Sequence, residues 1–281
     1  MTEVYKAVNA PTQYAECNGR RLAYRDFGAG VPIVLCVRFR GTMDSWDPSF
    51  LDGLVGHGFR VIVFDYSGLG ASTGVRTYNP QSLAKDALDL MDVLALQKAV
   101  IGGWSIGGVA AQIVLAKAPQ RVSHVVLLAT TPPGPLVKAG DPLFFKLAKR
   151  DNSDPEDAVA LFFEPNSAIS RAAAKQSAER LAQRQLDISP PVPREWAGEQ
   201  LGDAPRNPAF PADAVLRILE TTTVPVLHIG ADHDLVFPVE NWYALTGRAP
   251  TLQLITLPQA GHGPHHQYPA TCAGYIAAFL K

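Results

Sequence analysis

The sequence has almost no net charge: 25 basic side chains face 26 acidic ones, and charged residues make up 18% of its 281 positions. Such a chain presents no global field to draw in a nucleic-acid backbone or an anionic membrane, so neither is expected as a partner and a small molecule is. Cysteine is scarce. The three present, Cys17, Cys36 and Cys272, are an odd number, lie far apart and form no C-x-x-C pair. That spacing offers neither a zinc site nor a redox motif, and reduced, buried thiols are expected. Also missing is an apolar run long enough to span a bilayer, and the first twenty residues, MTEVYKAVNAPTQYAECNGR, hold no apolar h-region. A cytoplasmic protein is therefore expected. No metal and no cofactor is called for; the spacing His262, His265, His266 has no cysteine or carboxylate at ligand distance in sequence to complete a zinc set. A homodimer is compatible with the composition but nothing requires it.

Apolar residues are plentiful, at 47%, enough for one large core with an insertion. The pattern from residue 13 alternates strands with helices. YAEC and RLAYRDF flank Asn18-Gly19, a tight-hairpin dipeptide, and predict an antiparallel start. PIVLC, RVIVFDY, KAVIGG, VSHVVLLA, VPVLHIG and LQLITL follow, continuous apolar runs suited to parallel strands covered on both faces. Helices are expected from about Trp46, about Pro80, and Ile106 to about Ala116. The fold class is thus α/β, a mostly parallel sheet of about eight strands flanked by helices. Between about Gly134 and Thr223 strand runs vanish and helical periods remain, including a polar, alanine-rich stretch from Ser167 to Asp187. A helical cap insertion over 135–223 is predicted, with the core formed by 1–134 and 224–281; Pro190, Pro191 and Pro193 interrupt the insertion and Pro225 marks the return to the sheet.

The chemistry concentrates at Gly103-Trp104-Ser105-Ile106-Gly107, a G-x-S-x-G between the strand KAVIG and a helix. A serine on so sharp a turn needs neighbours without side chains two positions before and two after. Its hydroxyl is a poor nucleophile, so it also needs a base, and the base needs an orienting carboxylate. The order Ser, acid, His after successive strands is met by Ser105, by Asp232 or Asp234 after VPVLHIG, and by His262 after LQLITL. His57 and His124 come too early, His228 sits within a strand run, His233 lies beside the acid, and His265 and His266 are expected to begin the last helix and point elsewhere.

From about residue 20 to the end these motifs resemble the α/β-hydrolases, a resemblance extended by FDYSGLGAST, similar to that family's D-x-x-G-x-G-x-S loop, and by Trp46-Asp47-Pro48. It implies a serine hydrolase acting on a carboxylic ester or lactone, with carbon–carbon hydrolysis of diketones, haloperoxidase-like perhydrolysis, or a slow-turnover ligand receptor as alternatives. Asp65 and Ser72 would be structural. In the family the acid lies a few residues before a helix-starting proline, which favours Asp234 over Asp232, ahead of Pro238. One oxyanion donor would be the Ile106 N–H. The other comes from a loop that usually reads His-Gly; here it reads Val37-Arg38, and counting back from Gly41 makes Phe39 the donor. Arg38 and Arg40 either place a guanidinium near the mouth to bind a substrate carboxylate or carbonyl, or reach the surface and pair with acids of the insertion. Trp104 is a candidate substrate contact. Phe144-Phe145 and Phe162-Phe163 are expected to be the insertion's own core more than a pocket lining.

Overall fold

The computed structural model describes residues 5–150 and 154–281. Eight strands form one sheet: β1 (Gln13–Cys17), β2 (Arg20–Gly28), β3 (Val31–Cys36), β4 (Phe59–Phe64), β5 (Ala99–Trp104), β6 (Val122–Leu128), β7 (Val226–Ala231) and β8 (Leu252–Leu257). Their order is β1-β2-β4-β3-β5-β6-β7-β8. The β1–β2 hairpin turns at Asn18-Gly19, both with positive φ, as the dipeptide predicts. The pairs β1/β2 and β2/β4 are antiparallel and the rest of the sheet is parallel. Every residue of β5 and of β7 is buried. That is why their sequences read as continuous apolar runs rather than alternating ones.

The helices flanking the core are α1 (Pro48–Gly56), α2 (Pro80–Val93) and α3 (Ile106–Lys117), followed by α4 (Leu143–Leu147), α5 (Pro155–Phe162), α6 (Ala168–Leu181), α7 (Arg194–Leu201) and α8 (Asp213–Thr221), all five lying between β6 and β7. After β7 come α9 (Glu240–Tyr243), α10 (Pro264–Gln267) and α11 (Pro269–Phe279). The first helix starts at Pro48 rather than Trp46, because Thr42 caps a separate 3-10 turn and Asp47 caps α1 by accepting from the Ser49 N–H at 2.9 Å. The polar stretch after Ser167 is α6, capped by the Ser167 hydroxyl. None of the described helices is long and apolar enough to cross a membrane. All three cysteines are free and buried.

Buried polar contacts tie the segment between β6 and β7 to the sheet. Asp47, fully buried, accepts from Arg180 Nε at 2.8 Å and from the Ser177 hydroxyl at 2.7 Å, both on α6. Asp65 takes the Met43 N–H at 2.7 Å, the Ala71 N–H at 2.9 Å and the Ser189 hydroxyl at 2.7 Å. Ser72 donates to the Asp65 carbonyl at 2.7 Å and accepts from the Ala23 N–H. Asp65 and Ser72 are therefore structural, as the loop motif implies: a buried carboxylate left without such donors costs several kcal/mol.

Candidate active site

Ser105 occupies the single-residue turn between β5 and α3, with φ 59° and ψ −126°. A side chain in this left-handed region carries strain of about 1–3 kcal/mol, here held by backbone bonds that include the Ser105 N–H to the Leu128 carbonyl at 3.0 Å, the Thr130 hydroxyl to the Ser105 carbonyl at 2.6 Å and the Gly108 N–H to the same carbonyl at 2.9 Å. The flanking glycines are required by contact. A Cβ on Gly103 would stand 2.1 Å from the Gly107 carbonyl oxygen, and one on Gly107 would stand 2.0 Å from that of Cys36 and 2.7 Å from that of Val37. Because the obstacles are backbone atoms, Gly107→Ala is expected to lower unfolding free energy by roughly 3 kcal/mol, at the upper end of overpacking costs, read as a drop in the urea midpoint.

The two aspartates divide cleanly. Asp234 is buried and its carboxylate faces His262 Nδ1 with both oxygens, at 3.0 Å and 2.9 Å. Its Oδ1 also accepts from the N–H groups of Val236 at 2.8 Å and Phe237 at 3.0 Å, which fix the carboxylate's orientation. Asp232 is exposed, pairs with its neighbour His233 at 2.7 Å, and accepts from the Ala260 N–H. It is a turn residue, held below the usual carboxylate range by His233 and backbone donors despite partial desolvation.

His262 is 2% exposed. Its carbonyl accepts the indole N–H of Trp104 at 2.7 Å, and its ring lies between Phe162 and Phe237, with centroids 6.3 Å and 5.7 Å away. Trp104 thus holds the histidine loop from behind, a contact that sequence spacing does not reveal. Ser105, His262, Phe39, Arg38 and Phe162 share the walls of a cavity of about 30 Å³, room for a water molecule or two. No hydrogen bond joins Ser105 to His262 among the described residues; apo sites often close that bond only around substrate. The N–H groups of Phe39 and Ile106 have no hydrogen-bond partner among the described residues, as oxyanion donors require.

A second cavity, of about 550 Å³, lies between α5, α6 and the core, and Arg38, Leu161 and Phe162 wall both spaces. The aromatic pairs of the insertion split. Phe163 packs with Val159 and Ala174 as the expected small core and also lines the larger cavity, Phe162 packs against that cluster and lines both cavities, and Phe144 lines the smaller one. Arg40 donates to the backbone carbonyls of Ala148 at 2.6 Å and Arg150 at 2.9 Å. Arg38 stays at the site, over the rings of Phe162 and Trp104.

His265 and His266 do not begin the last helix as expected. They lie in a short helix of their own, separated from α11 by Tyr268, and both are buried behind Trp104, with ring centroids 4.5 Å and 4.9 Å from it. Proline at 264 and again at 269 breaks the helix into two, turning the pair inward. His266 Nδ1 lies 2.9 Å from the Ser177 hydroxyl. No group of three or more potential metal ligands gathers among the described residues.

Burial lowers the His266 imidazole to about 4 and that of His228 to about 3, and holds His265 well below its ordinary value. The folded values lie below the unfolded value of about 6.5, so the unfolded chain takes up protons first as pH falls. Stability from these rings is complete above pH ~6.5 and erodes below it, by about 1.4 kcal/mol per ring per pH unit, until the folded rings protonate near their own lowered values. Exposed His233, raised by Asp232, and buried Asp65, raised by desolvation, work in the opposite sense. The urea midpoint is expected to fall by several kcal/mol equivalent between pH 7 and pH 5, and His228→Phe, which keeps the stack on Trp242, to flatten that slope.

The alpha/beta hydrolase fold family model matches residues 31–269. The Synechocystis protein named "Putative non-heme chloroperoxidase" is 31% identical over 264 residues, covering 86% of this chain and 87% of that one. The Mycobacterium tuberculosis protein named "Putative non-heme bromoperoxidase BpoC" is 28% identical over 255 residues, covering 86% and 90%. A solved alpha/beta hydrolase fold protein from Chitinophaga pinensis superposes with a TM-score of 0.83 at 28% identity, covering 98% of each chain. With the elbow serine, the His262–Asp234 pair and the eight-stranded sheet in place, the chain belongs to the alpha/beta hydrolase fold family.

Proposed function

We propose that this protein hydrolyses a carboxylic ester or lactone through an acyl-enzyme on Ser105, with residues 135–223 acting as a helical cap over a core of 1–134 and 224–281. One observation carries the reading: a carboxylate clamped by two backbone N–H groups grips His262 Nδ1 beside a serine held on a strained elbow. Asp234 fixes the proton on Nδ1, so Nε2 carries the lone pair. Ser105 Oγ attacks the carbonyl carbon as His262 Nε2 takes its proton; the Phe39 and Ile106 N–H groups receive the oxyanion. Nε2 then returns the proton to the departing alkoxide, and water repeats the sequence to free the acid and Ser105. For a lactone the leaving alcohol stays attached and a hydroxy acid results.

A fluorophosphonate probe tests the core of this proposal. Stoichiometric labelling of the native protein and none of Ser105→Ala is expected; an unlabelled native protein would point to a ligand receptor. A panel of p-nitrophenyl esters and lactones then ranks substrates, and activity on neither would move the reading to diketone hydrolysis. The names carried by two relatives favour one second reading, perhydrolysis, in which hydrogen peroxide replaces water on the acyl-enzyme and a peracid leaves. Added peroxide would then divert product from acid to peracid in proportion to its concentration.

A further inference from the structure

The charged groups around the larger cavity do not balance. Its three acids are each taken: Asp44 by Arg25 at 2.5 Å, Glu156 by Arg171 at 2.6 Å and Asp157 by Arg150 at 3.0 Å. Arg38 has no carboxylate at ion-pair distance among the described residues. Its one hydrogen bond runs from Nη1 to the Phe39 carbonyl at 2.8 Å, and its Nε is buried with no partner. What it has is two aromatic faces, Phe162 at 4.6 Å and Trp104 at 5.1 Å from the guanidinium carbon. Desolvation draws the group down to about 10, Tyr78 offsets part of that, Arg40 adds repulsion, and no carboxylate contributes.

A guanidinium kept for structure is ordinarily given an acid, as Arg180 is given Asp47. Leaving one part-buried and unpaired is costly unless an anion arrives to use its fork of donors. The position is specific. Arg38 immediately precedes Phe39 in the chain and walls both cavities, so an anion held there sits between the serine and the roomy, mostly apolar space under α5 and α6. Lys175, exposed on α6 at the edge of that space, likewise has no acidic partner among the described residues and adds to the attraction.

We infer that Arg38 determines specificity by binding a free carboxylate on the substrate, so that the protein acts on esters or lactones that also carry an acid group. This rests on the hydrolase reading above and names its substrate class. The test compares the mono-p-nitrophenyl ester of adipic acid with p-nitrophenyl hexanoate, which differ only in the terminal carboxylate. In the native protein the ratio of kcat/KM for the acid ester to that for the neutral one is expected to exceed 10. In Arg38→Met, which keeps the stem on the aromatic faces, the ratio is expected to fall roughly 10- to 100-fold, and Arg38→Lys to fall between; melting curves verify that each variant is folded. A native ratio of one or less, or a ratio indifferent to Arg38→Met, would overturn the inference.

Adipate binding keeps the two proposals distinguishable. Millimolar adipate is expected to raise the melting temperature of Ser105→Ala protein, and to do so no longer once Arg38→Met is added. That shift without any esterase activity would sink the hydrolase reading and leave the anion site standing; no shift in either protein would sink the anion site.

Discussion

Ser105→Ala is expected to lower kcat/KM on any ester that the native protein turns over by about 10⁴-fold or more, the scale at which a nucleophile's removal leaves only oxyanion and binding contributions. That loss is equivalent to about 5.5 kcal/mol of transition-state stabilisation. The substitution is a clean one here. No hydrogen bond to Ser105 Oγ is present among the described residues, and the bonds that hold the turn, from Thr130 and Gly108 and to Leu128, use the backbone of residue 105. Alanine suffers the same positive φ as serine, so the melting temperature should move by no more than a degree or two while activity disappears. Steady-state kinetics beside a melting curve check both halves, and a variant that keeps more than a tenth of native activity would mean that another group attacks the carbonyl.

Asp234→Asn should cost roughly 10³- to 10⁴-fold in kcat, and Asp232→Asn less than threefold. The asymmetry follows from the donors around residue 234. Asparagine's single carbonyl oxygen would be claimed by the N–H groups of Val236 and Phe237, which now meet Oδ1. Its amide nitrogen would then face His262 Nδ1 as a donor, and two donors cannot share that position. The ring would flip its proton to Nε2, the nitrogen that must be free to take the serine's proton. Asp232, exposed and engaged with His233, has no path to the ring. Comparable losses from the two variants would show that the acid is shared or misassigned.

Much of the fold was legible because periodicity is a local property. Each apolar run from PIVLC to LQLITL became a strand within a residue or two, and the five helices between β6 and β7 fall where such runs disappear. The serine and histidine were legible for a related reason: their spacing is dictated by turns and strand ends. The acid was not decidable from residues alone, since Asp232 and Asp234 are equivalent on paper and are separated only by which carboxylate the turn buries. What stayed hidden is tertiary. Nothing in the sequence ties the Trp104 indole to a carbonyl 158 positions later, turns His265 and His266 inward, or seats Phe162 against His262. The two arginines of the β3 loop show the limit well, because identical side chains two residues apart end in opposite circumstances, Arg40 fastened to the α4–α5 connection and Arg38 left facing the cavities.

The close approach of Gly107 to the Cys36 and Val37 carbonyls bears on the unusual loop that follows β3. Main chain rests on main chain there, so the spacing between the nucleophile's turn and the neighbouring loop is set by atoms that every residue type possesses. The Arg38 side chain takes no part in that joint, so a bulky cation stands next to machinery that tolerates little displacement without disturbing it. The seam works as a fixed mount: what it carries can be refitted for a new substrate while the mount itself holds still.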